Sequence, residues 1–161
     1  MPTPTSTRNL PALAAVGLFF ALILTLAVVL LRGPGTLDPM VGQPAPPIDA
    51  PILAGTIPDG AHVVNFWATW CTPCLAEHPI LMQMADKGIP IVGVAYRDDE
   101  AKMARYLADK GNPFVALVFD AEGKSLPDWG VRGVPETFVI NDAGLVTARY
   151  TGAIQEPIIR P

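Results

Sequence analysis

The chain is poor in cysteine, histidine and charge. Two cysteines in 161 residues permit at most one internal disulfide, which excludes a disulfide-stapled miniprotein. Basic residues are outnumbered, 11 Lys+Arg against 15 Asp+Glu, for a formal net charge of −4. Beyond Arg32 the imbalance grows, because only Arg8 and Arg32 precede that point: nine basic residues face all fifteen acidic ones, a charge of −6. A basic footprint for nucleic acid is therefore missing, and so is a basic face for anionic lipid. No internal repeat is visible. With 50% of residues hydrophobic and only 16% charged, intrinsic disorder is also a poor fit.

The hydrophobic surplus is local. Leu10 to Leu31 is a run of 22 residues in which only Pro11, Gly17 and Thr25 fall outside the hydrophobic set. Without it the remainder drops to roughly 44% hydrophobic, normal for one globular domain with a single core. A helix of that length spans about 33 Å, enough for a bilayer core, and no charge interrupts it. A cleavable signal peptide would have a shorter apolar region followed by small residues. Here Leu-Leu-Arg-Gly-Pro follows, so an uncleaved anchor is the reading. The free amino terminus and Arg8 outweigh Arg32, which is followed by Asp38, and this sets the N-terminus inside and the C-terminal domain outside. Seven prolines between Pro34 and Pro58, with Gly33, Gly35 and Gly42 close by, read as a semi-rigid tether.

The remainder alternates. His62 to Ala68 is a short apolar run suited to a buried strand, and Cys71 to Lys87 reads as a helix stopped by Gly88. Ile89–Tyr96 is a second strand, Asp98–Lys110 a second helix, and Phe114–Phe119 a third strand. Val134–Ile140 and Leu145–Tyr150 form a closing hairpin about Asn141-Asp142-Ala143-Gly144. This order predicts an α/β domain with a mixed central sheet.

The chemistry sits in Trp67-Ala68-Thr69-Trp70-Cys71-Thr72-Pro73-Cys74, a CxxC between a strand and a helix. That spacing at a first helical turn lets the sulfurs close a small ring. Cys71 then lies where unpaired N–H groups and the helix dipole favour a thiolate, the attacking species in thiol–disulfide exchange. Cys74, one turn inward, would resolve the mixed disulfide. Half of a zinc site looks the same, but a complete one needs about four ligands, and only His62 and His78 are left to supply them. Pro79 falls inside the helix, and Pro135 stands before a strand where most folds avoid proline, an edge strand being the simpler explanation. Trp67 reads as packing and Trp70 as flanking the sulfurs. His78 reads as a polar helix-surface residue, Asp98 and Asp99 as an N-cap with first-turn acids, Met82, Met84 and Met103 as core fillers, and Arg132 as a solvated loop charge.

These features together resemble the thioredoxin-fold oxidoreductases. More narrowly, Val41-Gly42-Gln43-Pro44-Ala45-Pro46, Asn65 to Cys74 with Glu77-His78, Tyr96-Arg97-Asp98-Asp99, Gly111-Asn112-Pro113 and Gly130 to Phe138 resemble the CcmG/DsbE family. These are membrane-anchored thiol:disulfide oxidoreductases of cytochrome c maturation. The resemblance implies a tail at residues 1–9, a transmembrane anchor at 10–31, a Pro/Gly-rich linker at 32–47 and a thioredoxin-like domain at 48–161, with the strand at Phe114–Phe119 belonging to an insertion. It implies Cys71 and Cys74 as the catalytic pair, Trp70 beside them, Pro135 as a cis-proline facing the disulfide, and a Val134 backbone that pairs with incoming peptide. Glu77 and Glu136 match acidic positions near the thiols, where a carboxylate would oppose the thiolate and make the couple more reducing.

The implied partners are apocytochrome c or a maturation thiol protein, and a transmembrane thiol reductant. No cofactor or metal is implied. The implied location is the inner membrane, single-pass, with the domain on the periplasmic side. A general extracytoplasmic thiol–disulfide oxidoreductase is the first alternative. A copper chaperone on the same fold is the second; its CxxxC and distant histidine are not matched here, since no histidine follows His78. The family usually ends in a covering helix, whereas Ile154 to Pro161 contains Pro157, so one sheet face is expected to be less well covered or the helix truncated.

Overall fold

A computed structural model describes residues 10–31 and 38–158, with side chains in the first helix described for residues 14–28. The expected tail at 1–9, the linker up to residue 37 and the last three residues lie outside the described residues. The chain divides into two units, residues 1–37 and 38–161. In the first, Leu10–Leu31 is a single α-helix, α1. Its described side chains are largely exposed apolar groups, Leu18, Phe20 and Leu24 among them. Among the described residues no helix is long and apolar enough to cross a membrane.

The second unit is built on a six-stranded sheet. In chain order its elements are β1 (Ile52–Gly55), β2 (His62–Trp67), α2 (Thr72–Asp86), β3 (Ile91–Tyr96), α3 (Glu100–Lys110), β4 (Ala116–Asp120), α4 (Ser125–Asp128), β5 (Glu136–Ile140) and β6 (Val146–Thr151). The strand order is β1-β4-β3-β2-β5-β6. β2, β3 and β4 run parallel, while β1, β5 and β6 pair antiparallel with their neighbours. β2 and β3 are interior strands covered on both faces, which is why they read as unbroken apolar runs. The expected inserted strand is β4, lying between β3 and β1.

Two cores flank the sheet. α2 and α3 cover one face, where Trp67, Leu81, Met84, Ile91, Met103 and the cysteines pack together. On the other, Phe66, Trp129 and Phe138 meet edge to face, with ring centroids 4.9–5.9 Å apart, beneath Leu126 and Val131. α3 is capped by Asp99, whose Oδ1 accepts from the Lys102 N–H at 2.8 Å.

Much of the proline-rich stretch expected to be a tether is folded. Met40, Val41, Ala45, Ile48 and Ala50 pack against the second core. Backbone bonds from Gly42 N to Val146 O (2.8 Å) and from Ala45 N to Gly144 O (2.9 Å) fasten it to the hairpin. Prolines bar a helix, but they leave extended segments free to dock on an existing sheet. β1 belongs to the same stretch and pairs with β4 at the sheet edge. At the far end, where poorer cover of one sheet face was expected, Ile154 is buried in the first core and Ile158 packs against it, so this short segment covers part of that face.

Candidate active site

Strand β2 delivers the chain to the N-terminus of α2, and the two cysteines straddle that junction. They form a disulfide with S–S 2.15 Å and Cα–Cα 5.3 Å. Cys71 is the N-cap of α2, in extended backbone conformation, and its sulfur accepts from the Cys74 N–H at 3.2 Å. An N-terminal N–H group aimed at that sulfur, with the helix dipole behind it, stabilises a thiolate there once the bond is reduced. Pro73 in the first turn lacks an N–H that the helix would not have used, and Pro79, inside α2, removes the bond to the Leu75 carbonyl. Both cysteines are buried, whereas Trp70 beside them is 58% exposed.

The loop entering the site is clasped. Asp98 accepts from the Thr69 N–H and from Thr69 Oγ1, the latter at 2.7 Å. The Trp70 indole N–H donates to the Arg97 carbonyl at 3.1 Å, with the Tyr96 ring 6.2 Å away. Arg97 itself is held at φ +45°, a left-handed conformation that non-glycine residues seldom adopt. Asp98, expected to be part of a helix cap, fixes Thr69 and also accepts from the Asp99 N–H at 2.8 Å, while Asp99 is the residue that caps α3. Adjacent aspartates look alike in sequence, and only the fold separates them.

Across from the disulfide lies the loop Gly130–Pro135. The Val134–Pro135 peptide is cis, and the Val134 carbonyl oxygen lies 3.5 Å from Cys71 Sγ. Pro135 is buried and Val134 half-buried. The Pro135 carbonyl accepts from the Gly152 N–H at 2.9 Å. Among the described residues, neither the Gly133 nor the Val134 N–H has a hydrogen-bond partner in the chain.

The two acidic residues singled out in the sequence occupy different faces of the sheet. Glu77, 1% exposed, sits on α2 on the disulfide's side. Its carboxylate accepts from Asn65 Nδ2 and from the Ile154 N–H, each at 2.9 Å. Burial pushes this carboxyl above its ordinary value of 4.5, against the pull of those two bonds. Asn65 also donates to Thr137 Oγ1 at 3.0 Å, while its own Oδ1 is buried without a partner.

Glu136 follows the alternation of β5, which places Thr137 and Val139 on the disulfide's side and Phe138 and Ile140 on the other. It therefore points to the far face, where Arg149 Nη2 and Nε hold its Oε2 at 2.6 and 2.8 Å. An acid neutralised there is not a free charge beside the thiols.

His78 corrects another expectation. It is buried, not a helix-surface residue, because the end of α3 folds over this side of α2. Nε2 bonds the Gly111 carbonyl at 3.1 Å and the ring meets Tyr106 edge to face at 5.0 Å. Burial lowers its pKa below 6.5, more than the bonds to Gly111 and Lys110 raise it. Trp67 is core, as expected, packed on Phe114 and Tyr106. Among the described residues no cluster of three or more His, Cys, Asp or Glu could hold a metal ion.

Asn65 and Arg149 are the functional candidates that the sequence did not single out, while Asp98 was singled out only as a helix cap. A polar residue inside the apolar run His62–Ala68 was the available signal for Asn65. For Arg149 there was none.

The chain is similar to proteins of established name. The redoxin family matches residues 52–159. The thiol:disulfide interchange protein HelX of Rhodobacter capsulatus is 42% identical over 123 residues, covering 76% of this chain and 67% of that protein. DsbE of Pseudomonas fluorescens biotype C is 38% identical over 153 residues, 87% of this chain and 85% of the relative. Among solved structures, a Chlorobium tepidum protein provisionally assigned as thiol:disulfide interchange protein DsbE superposes with TM-score 0.60 at 26% identity, covering 71% of this chain and 87% of its own. A redox disulfide capped onto a helix, the fold around it and these likenesses agree: the chain is a thiol:disulfide oxidoreductase with a thioredoxin-like fold, and it belongs to the redoxin family, among the DsbE/HelX thiol:disulfide interchange proteins.

Proposed function

We propose that this oxidoreductase works as a membrane-anchored reductase on the outer side of the inner membrane, and that its client is apocytochrome c or a thiol protein of its maturation. The observation that carries the redox direction is Glu77, a buried carboxyl on the disulfide's side of the sheet. Burial already disfavours a charge on it, and a Cys71 thiolate would add a second negative charge on the same side of the sheet; that mutual opposition disfavours the ionised dithiol and so favours giving electrons away. The anchor is supported by the sequence, an uncharged and almost wholly apolar run from Leu10 to Leu31; the side chains described for residues 14–28 of α1 are largely exposed and apolar. The client class is supported by resemblance to the CcmG/DsbE family over the motifs already quoted.

The exchange begins from the dithiol. The Cys71 thiolate attacks one sulfur of the client disulfide, that S–S bond breaks, and the client's other sulfur leaves as a thiolate that takes up a proton. Cys74 then loses its proton and attacks Cys71 Sγ, releasing the client's second thiol. Two electrons pass to the client and the Cys71–Cys74 disulfide re-forms, to be reduced again by a transmembrane thiol donor. Peptide docking rests on Val134: its N–H, which has no partner among the described residues, and its carbonyl, 3.5 Å from Cys71 Sγ, offer an incoming backbone a strand-like partner beside the attacking sulfur. Trp70, exposed and clasped, supplies an apolar wall.

Cys74→Ser tests the client directly. This variant should accumulate a mixed disulfide through Cys71, and the trapped species should be a cytochrome c precursor or a maturation thiol protein. Capture of many unrelated secreted proteins, with none of these among them, would defeat the narrow client and leave a general oxidoreductase.

A further inference from the structure

Arg149 is fully engaged although it touches neither sulfur nor substrate. It projects from β6 on the face opposite the disulfide, with its side chain 12% exposed. Its guanidinium lies 5.2 Å from the centroid of the Phe138 ring. Nη2 donates to the Gly130 carbonyl at 2.8 Å and to Glu136 Oε2 at 2.6 Å, Nε reaches the same Oε2 at 2.8 Å, and Nη1 lies 3.5 Å from Asp38 Oδ2. Glu136 Oε1 in turn takes the Arg132 N–H at 3.4 Å.

Gly130 and Glu136 are the two ends of the loop that carries Val134 and Pro135. One planar cation therefore pins both ends of that loop, and through Glu136 it also holds Arg132. Between those ends the Val131 N–H donates to the Leu126 carbonyl at 2.9 Å and Val131 and Pro135 are buried, whereas at the apex the Gly133 and Val134 N–H groups have no partner among the described residues. The apex that faces Cys71 therefore takes its height from the anchored ends and not from backbone bonds of its own.

We propose that Arg149 is a positioning residue: with Glu136 it sets the Gly130–Pro135 loop at the height from which the Val134 backbone meets a peptide client. The effect is on docking and not on the disulfide, because Arg149 and Glu136 lie across the sheet from both sulfurs. This inference rests on the docking role given above to Val134. A lysine in its place keeps the charge but cannot span Gly130 and Glu136 with one rigid fork.

The test uses the full chain, reduced, and two oxidised probes followed by stopped flow. One is a short peptide closed by a disulfide. The other is the small aromatic disulfide dithiobis-nitrobenzoate, which needs no backbone partner. Arg149→Lys should slow the peptide reaction about tenfold, the size of one lost charge-assisted bond, and leave the small disulfide within about twofold of wild type. Glu136→Gln should show the same selective loss, and it serves if the lysine variant does not fold. Ile140→Val, which trims the same face of β5, should lower thermal stability without changing the ratio of the two rates.

An unchanged ratio in Arg149→Lys and Glu136→Gln, or an equal loss toward both probes, overturns the proposal. A third probe, the same peptide N-methylated beside its disulfide, keeps the two readings apart. If wild type reduces it as fast as the parent peptide, backbone docking itself fails. If it is slow while Arg149→Lys keeps the wild-type ratio, only the role of Arg149 fails.

Discussion

Glu77→Gln separates the charge of this buried group from its shape. In the wild type, burial holds the carboxyl pKa above 4.5 in the folded state, while the unfolded chain keeps the ordinary value. Below pH 4.5 both states are protonated and the group contributes no pH dependence. Above it the unfolded chain releases the proton and the folded protein keeps it, so stability falls as pH rises, until the folded-state pKa is passed. One proton separates the two states in that window, so the slope from this residue approaches about 1.4 kcal/mol per pH unit. A glutamine has no such proton.

Shape decides the rest. Protonated Glu77 offers one O–H donor and one carbonyl acceptor, and glutamine offers the same acceptor with two N–H donors on its nitrogen. In both cases the Ile154 N–H can keep its acceptor, provided the Asn65 amide turns its unpartnered Oδ1 toward the new donor. The variant should therefore match wild type within about 1 kcal/mol near pH 4.5 and become progressively more stable than wild type above it. Urea unfolding of the oxidised full chain in detergent, followed by tryptophan fluorescence from pH 4.5 to 8 (about the useful range for these groups), measures the difference. His78 is common to both proteins and cancels. Parallel stability curves, or a variant that loses ground to wild type as pH rises, would refute the assignment of Glu77 as a buried carboxyl whose pKa is raised by desolvation.

Asp98→Ala removes the acceptor for both Thr69 groups and should cost about 1–3 kcal/mol in urea unfolding, because the Thr69 N–H loses its partner. Trp70→Ala should change stability by no more than about 1 kcal/mol, since the ring is 58% exposed, yet slow peptide disulfide reduction in the stopped-flow assay. His78 has a lowered folded-state pKa, so the unfolded chain takes up a proton first as pH drops below 6.5 and stability falls there; His78→Gln should flatten that limb of the same urea series. Gly93→Ala would set a Cβ 2.6 Å from the Phe114 ring, and calorimetry should find a loss of about 1–3 kcal/mol with no change in exchange chemistry.

The parts of the fold legible in the sequence were those with strong local physics. β2 and β3 announced themselves as apolar runs because both of their faces are covered. α2 was marked by CxxC at one end and Gly88 at the other. β1 left no such trace, being four exposed residues flanked by Pro51 and Pro58, and its strand character comes entirely from the β4 edge it pairs with. The docked segment from Asp38 onward was hidden for the same reason, because its prolines speak only against helix and its partner is distant in the chain.

The site divides along the same line. Cys71 and Cys74 are local chemistry and needed no fold. The two glutamates needed the direction of a side chain, and for Glu136 that direction was already implicit. Phe138 and Ile140 alternate with Thr137 and Val139, and a strand's period of two places Glu136 with the phenylalanine and not with the threonine. What the sequence did not state was which of those faces holds the sulfurs. That depends on Asn65, an amide inside an apolar run, whose bonds to Glu77 and Thr137 mark the disulfide's side. Once that face is known, a pair of acids that look equivalent beside the redox motif becomes two different devices. Glu77 is a buried carboxyl on the disulfide's side, bonded to Asn65 and Ile154, and Glu136 is one half of an ion pair on the far side, bonded to Arg149 at both Nη2 and Nε.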